Sequence, residues 1–170
     1  GENMGIRRFE RFEASVDGKG LVTSYIHGEG KVGVLLDLAV GNTSAAHSDA
    51  FKALAKDLTM HIAAAAPRWL NASQVPADIV SKEREIAVAQ IQNSGKAMKP
   101  EFMEKAVEGR VRKLLEEVCL MTQPFVKDPN KTIDQLVKET DKVVGGGLVV
   151  RHFARFVLGE GMKEAAEGNA

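Results

Sequence analysis

The spacing of apolar residues changes period twice along this chain, and that double change limits the fold more than any single motif does. Up to about residue 40 the apolar residues come in short runs. Ile6 to Phe12 is the weakest, interrupted by Arg7, Arg8 and Arg11; Leu21 to His27 is richer in β-branched and aromatic types; Lys31 to Ala39 is an apolar run ending at Gly41-Asn42. Asp17-Gly18 and Gly28-Glu29-Gly30 punctuate these runs at hairpin spacing, which predicts a three-stranded antiparallel meander.

From Phe51 the spacing becomes three and four, placing Phe51, Leu54, Ala55, Leu58, Ile62 and Ala65 on one helical face. Ser44 or Ser48 supplies a cap and Pro67 a stop. Pro76 suits the first turn of a second helix, whose face carries Ile79, Val80, Ile86, Ala87 and Ile91 before Asn93-Ser94-Gly95 breaks it. Pro100 opens a third helix with Met103, Val107, Val111, Leu114 and Val118 in a seam. Two such helices joined by a short polar loop make an antiparallel hairpin, each arm about 27 Å long at ~1.5 Å per residue. Its seam is expected to hold Ile86, Ile91, Val107, Val111 and Leu114.

Phe125 to Lys127 then reads as extended, with a turn at Asp128-Pro129-Asn130 and a brief helix from Thr132 through Lys138. After Gly145-Gly146-Gly147 the period returns to two: Val150, His152, Ala154, Phe156 and Leu158 fall on one side of a strand. Strands before and after a helical middle predict an α+β fold with two small antiparallel sheets and a helical hairpin.

Composition narrows the function. Twenty-three basic residues balance twenty-three acidic ones, which argues against non-specific nucleic-acid binding, since that affinity comes mainly from phosphate neutralisation. The apolar runs, such as Val32 to Ala39, are too short to span a bilayer, so no membrane partner is expected. One cysteine, Cys119, permits no intrachain disulfide and no cysteine-based zinc site, and fits a reducing compartment.

The candidate motifs carry bland readings. Gly28-x-Gly30-x-x-Gly33 matches the dinucleotide fingerprint literally, but that motif needs a helix amino terminus straight after the glycines, and here Val34-Leu35-Leu36 continues as strand. A glycine-rich hairpin turn is the better reading. Asn42-Thr43-Ser44, Asn71-Ala72-Ser73 and Asn130-Lys131-Thr132 satisfy the glycosylation sequon by chance in polar loops. His27, His47, His61 and His152 lie in different elements with no carboxylate at metal-ligand spacing. Neither Cys119 nor any Ser/His/Asp order supplies a catalytic nucleophile. The chain is therefore expected to be no enzyme, with no catalytic residue, no metal and no cofactor. His61 sits on the flank of its helix's apolar stripe and is expected to be partly accessible, as an interface anchor.

Several stretches, in order and across residues 1 to about 161, resemble elongation factor Ts: Gly1-Glu2-Asn3, Tyr25-Ile26-His27, Lys31-Val32-Gly33-Val34-Leu35 and Met60-His61-Ile62-Ala63-Ala64. Val75-Pro76 before Lys82-Glu83, Glu104 to Arg110, Gln123-Pro124-Phe125-Val126-Lys127-Asp128, and Arg155-Phe156 before Gly159-Glu160-Gly161 continue the likeness. The resemblance implies a guanine-nucleotide exchange factor of translation that binds elongation factor Tu carrying GDP, distorts its phosphate and magnesium site, and releases the nucleotide. It implies a two-subdomain core, each subdomain with a three-stranded antiparallel sheet, and a coiled-coil hairpin inserted in the second. On that basis residues 1–42 hold the first sheet and 43–170 the second subdomain, with the hairpin at about 76–119. The family's contact positions fall on Val32, Gly33, His61, Phe125, Val126 and Lys127. Val32 replaces the usual isoleucine, and Lys127 stands where members differ.

The small helical domain and the Thr-Asp-Phe-Val segment that precede Gly-Glu-Asn in the family do not occur in these residues. The resemblance therefore implies a carboxy-terminal piece of the core, with reduced exchange activity. Two other readings stay open: a structural or dimerising module that uses the Met103 to Val118 seam and forms a homodimer, and a phosphate-binding enzyme on the glycine turn. The expected setting is the bacterial cytoplasm, or an organellar matrix if a targeting peptide stood upstream of Gly1.

Overall fold

The computed structural model describes residues 5–6, 8–93 and 99–160. The Gly1-Glu2-Asn3 stretch, the break at Ser94-Gly95 and Gly161 lie outside the described residues. The elements in chain order are strand β1 (Gly20–His27), strand β2 (Val32–Ala39), helix α1 (Thr43–His47), helix α2 (Asp49–Ala65), helix α3 (Ala77–Asn93), helix α4 (Pro100–Val118), strand β3 (Pro124–Phe125), strand β4 (Asp128–Thr132), helix α5 (Ile133–Val144) and strand β5 (Val149–Val157). Single 3-10 turns precede α3 and follow α4. The fold is α+β. The chain divides into two compact units, residues 1–64 with 137–170, and residues 65–136.

The first unit is built on a three-stranded antiparallel sheet ordered β1-β2-β5. Its third strand is β5, not the predicted Ile6–Phe12 run, whose described residues form no strand. Three arginines in seven residues make that run a poor strand, whereas β5 brings β-branched and aromatic side chains to the open edge of β2. Arg8 and Glu10 instead meet the outer face of β5: the Arg8 guanidinium lies 4.4 Å from the Phe156 ring centre and Glu10 lies 3.2 Å from His152 Nε2.

Alternation along β2 sends Val34, Leu36 and Leu38 inward, all buried. Phe51, Leu54, Leu58 and Ile62 of α2 are buried as well and supply the second layer. The Arg155 guanidinium joins the layers by donating to the Ala63 carbonyl at 3.2 Å. A bulge in the β2–β5 ladder between Asp37 and Leu38 corrects the single-sided reading of β5. Leu38 pairs with Val150, which is buried, while Asp37 pairs with His152 on the other face, so Val150 does not share a side with His152.

Caps explain several polar residues. Asn42 Oδ1 accepts from Ala45 N–H at 2.8 Å and starts α1; Ser48 Oγ accepts from Phe51 N–H at 3.2 Å and starts α2. Asn71 does the same for the 3-10 turn, accepting from Ser73 N–H at 3.2 Å. Thr132 and Gln135 exchange bonds reciprocally at the start of α5, a capping box. That helix runs to Val144, past the predicted stop at Lys138, because Val137 and Val144 continue its buried side; Gly145, Gly146 and Gly147, all at positive φ, end the run.

In the second unit α3 and α4 pack against each other. Trp69, before α3, bridges Cys119, after α4, and Leu120 N–H donates to the Trp69 carbonyl at 2.8 Å. The segment entering the helix pair thus lies beside the segment leaving it, so the helices run antiparallel. Their buried contacts are Ala87, Val107 and Val111. Ile86, expected in this seam, is instead 41% exposed, while its neighbour Ala87 on the same predicted face takes the inward position. Among the described residues no helix is long and apolar enough to cross a membrane.

Candidate partner-binding surface

The six predicted contact residues divide between the units. Val32, Gly33 and His61 lie in the first; Phe125, Val126 and Lys127 lie in the second. In the first unit the turn Gly28 to Lys31 joins β1 to β2, with Lys31 N–H donating to the Gly28 carbonyl at 3.1 Å and Gly28, Glu29 and Gly30 all at positive φ. The glycines therefore serve a hairpin, and β2 rather than a helix follows them. Val32 opens β2 opposite His27 and Val157; Gly33 stands opposite Ile26 and Phe156. Both are half-exposed.

His61 departs from expectation. It is buried at 0% exposure, not partly accessible. The buried arc of α2 takes in Leu54, Ala55, Leu58, Thr59, His61, Ile62 and Ala63, which is wider than the apolar stripe alone, so a flank position is covered too.

In the second unit Phe125 pairs with Asp128, so Val126 and Lys127 form the two-residue turn of the β3–β4 hairpin. The turn thus comes before the predicted Asp128-Pro129-Asn130, which belongs to β4. Phe125 is buried at 5% exposure, Val126 is 46% exposed, and Lys127 is exposed. Phe125, Val126, Pro124 and Pro129 form one wall of an open groove of about 660 Å³; Lys113, Glu116 and Glu117 of α4 form another. At the groove's base the Gln123 amide donates to the carbonyl of Glu117 at 2.6 Å and of Ala65 at 3.4 Å, while Ile133 N–H donates to the Gln123 carbonyl at 3.0 Å. Gln123 therefore fixes the hairpin against the end of α4. Nothing in hydrophobic periodicity distinguishes such a clamp.

Cys119 is fully buried and burial pushes its thiol pKa up, which disfavours the reactive thiolate. Among the described residues no three His, Cys, Asp or Glu side chains come together to hold a metal ion.

Each unit thus presents an open hairpin end, and the glycine turn leads into strand. The pattern of the Elongation factor TS family matches residues 1–160, and the chain belongs to that family. It is 43% identical over 164 residues to Elongation factor Ts of Bdellovibrio bacteriovorus, covering 96% of this chain and 52% of that protein. It is 43% identical over 152 residues to the Acetivibrio thermocellus protein of the same name (89% and 70%), and 46% identical over 147 residues to that of Geobacter sulfurreducens (86% and 67%). The chain thus spans about half the length of the Bdellovibrio relative.

Proposed function

We propose that this chain works in translation elongation as a guanine-nucleotide exchange factor, binding elongation factor Tu in its GDP form and promoting GDP release in the bacterial cytoplasm. The observation that carries the reading is the family match over residues 1–160, which takes in all six contact positions in both units. On this reading Val32, Gly33, Val126 and Lys127 meet the partner directly. His61 and Phe125, being buried, hold α2 and β3 beneath those contacts. No covalent step is required: release follows if the chain binds the nucleotide-free partner more tightly than the GDP-bound one, because only differential affinity shifts that equilibrium. Nucleic acid and membrane take no direct part.

These 170 residues contain no Thr-Asp-Phe-Val segment. A protein consisting of them alone is expected to bind elongation factor Tu yet to accelerate GDP release less than a relative that carries that segment. Pull-down with elongation factor Tu tests the binding, and stopped-flow release of a fluorescent GDP analogue tests the exchange. Acceleration equal to that of such a relative would show the segment to be dispensable; no capture of elongation factor Tu would sink the whole reading.

Exposed Ile86 on α3 and Phe102 on α4 favour a second reading, a structural module that dimerises through the helix pair. Sedimentation of the free chain separates the two: a stable dimer that ignores elongation factor Tu supports the second.

A further inference from the structure

The sheet of the first unit has two outer strands, and the chain closes the edge of only one of them. Val40 N–H donates to the Lys19 carbonyl at 3.0 Å, one step beyond the Gly20–Ala39 pair, so alternation turns the N–H and C=O of Leu21, Thr23 and Tyr25 toward β2. Those of Val22, Ser24 and Ile26 point away from it. Leu158 N–H donates to the Lys31 carbonyl at 2.8 Å, which by the same rule leaves the groups of Arg155 and Val157 on the outer edge of β5. There the Arg155 carbonyl accepts from the Arg8 guanidinium, Val157 N–H donates to the Glu160 carboxylate at 3.4 Å, and Arg8 and Glu160 pair at 3.0 Å. Among the described residues nothing does this for β1, whose one sheet neighbour is β2.

Outer strands usually carry a Lys, a Pro or a bulge that deters pairing with another chain. β1 reads Gly-Leu-Val-Thr-Ser-Tyr-Ile-His, pairs with β2 without a shift in register, and has none of these; Ser24 and Ile26 on it are exposed. Its flanking turns show what fits. Centring a two-fold axis on Ser24 sets a second β1 antiparallel to the first, with Ser24 beside Ser24 and Val22 beside Ile26, so outward donors meet outward acceptors. The same register lays Lys19 opposite Glu29 and Asp17 opposite Lys31. A centre on Thr23 would instead face Asp17 with Glu29, and one on Tyr25 would face Lys19 with Lys31. Like charges opposite one another destabilise a strand pair. Charge therefore selects one register, and in that register the edge complements itself.

We propose that the free edge of β1 binds a second copy of this chain: two β1 strands pair antiparallel about Ser24 and join their three-stranded sheets into one. The pairing goes beyond the proposed function, does not depend on it, and uses a surface other than the helix pair. Within one copy β1, eight residues at ~3.3 Å each, holds Lys19 and Glu29 about 26 Å apart, so coupling between them reports contact between copies. Sedimentation equilibrium of the full chain over a rising concentration series compares the parent with Lys19→Glu, with Lys19→Glu plus Glu29→Lys, with Ser24→Pro and with Phe102→Asp. Melting temperatures are measured alongside. The parent is expected to dimerise, Lys19→Glu to weaken the dimer about tenfold through like charges, and the double variant to return to within about threefold of the parent. Ser24→Pro removes an outward N–H and leaves the bonds to β2 in place, so it is expected to abolish the dimer. Phe102→Asp, on the helix pair, is expected to leave it unchanged. A parent that stays monomeric at every concentration overturns the proposal. A dimer that Phe102→Asp abolishes overturns it too, as does one that Lys19→Glu weakens without recovery in the double variant. If Ser24→Pro fails to fold, the charge exchange alone decides.

Discussion

The sheet of the first unit and the helix pair of the second solve the same problem with unequal depth. β2 is flanked by strands and covered by the buried side of α2, so Leu36, Leu38, Phe51, Leu58 and Ile62 are wholly buried. The α3–α4 pair buries Ala87, Val107 and Val111, while Ile86 and Phe102 face solvent. Two layers built from several elements give each core side chain neighbours on most sides; two helices give it neighbours on one. The lesson concerns where each region keeps its stability. In the sheet it lies in packing between layers. In the helix pair it lies in one narrow seam and the backbone bonds at its base, beyond which Cys119, Leu120 and Ile133 are wholly buried.

That difference predicts unequal costs of damage. Phe51→Ala should be the most severe change, destabilising the first unit by about 3–5 kcal/mol as measured by urea unfolding, because a fully enclosed aromatic leaves a cavity that its neighbours cannot fill. Val111→Asp in the seam should cost about 3 kcal/mol, through a desolvated carboxylate opposite the partner helix. A helix pair can relieve part of that cost by splaying, which a covered sheet cannot do. Ile86→Ala is the control on the same pair and should stay within about 0.5 kcal/mol, as an exposed site does. If Val111→Asp cost more than Phe51→Ala, or Ile86→Ala as much as either, the contrast between deep and shallow packing would be wrong.

The parts of the fold that were legible in the sequence are those set by local rules. Periodicity marked α2, α3 and α4, proline and glycine marked their ends, and the hairpin glycines marked the β1–β2 turn. What was not legible depends on distant partners. The third strand of the sheet lies more than a hundred residues from β2, and a local reading filled the vacancy with the nearest run, Ile6–Phe12. The bulge opposite Asp37–Leu38 changes which β5 residues face inward, and nothing in an alternating pattern announces it. The contact positions came from resemblance alone. The structure adds that Val126 and Lys127 form a turn tip and that Gly33 lies between apolar neighbours, whereas His61 is enclosed.

His61 is therefore where the comparison can be sharpened within the first unit. Its sequence position suggested a residue whose loss would spare stability and weaken a contact. Complete burial reverses the order of those effects. His61→Ala should lower stability by about 2 kcal/mol, as truncation of a wholly buried side chain does. Any change in affinity should then follow from displacement of α2. Chemical denaturation of the variant beside titration with elongation factor Tu decides the matter: an unchanged unfolding midpoint with weakened binding would restore an exposed, partner-facing histidine.

The smallest effect is expected at Asp17, in the turn before β1, and it tests whether surface charge adds to what packing provides. Its carboxylate accepts from the Ser15 hydroxyl and from Lys19 N–H at 3.0 Å, with Lys19 Nζ 4.0 Å away. The Ser15 bond first, then the Lys19 backbone bond, hold its pKa below the ordinary carboxylate value of 3.8. A group whose folded pKa is depressed stabilises the fold above its unfolded pKa and loses that contribution as pH falls through its folded value. Asp17→Asn should therefore be slightly less stable than the parent at pH 7, and the gap should close as pH drops below the ordinary carboxylate range. Exposure to water keeps the gap small. Urea midpoints of the two proteins between pH 7 and pH 2.5 check it. A gap that persisted at the acid end would show that the amide disturbs the turn itself, and that the carboxylate's charge is not what the first unit gains there.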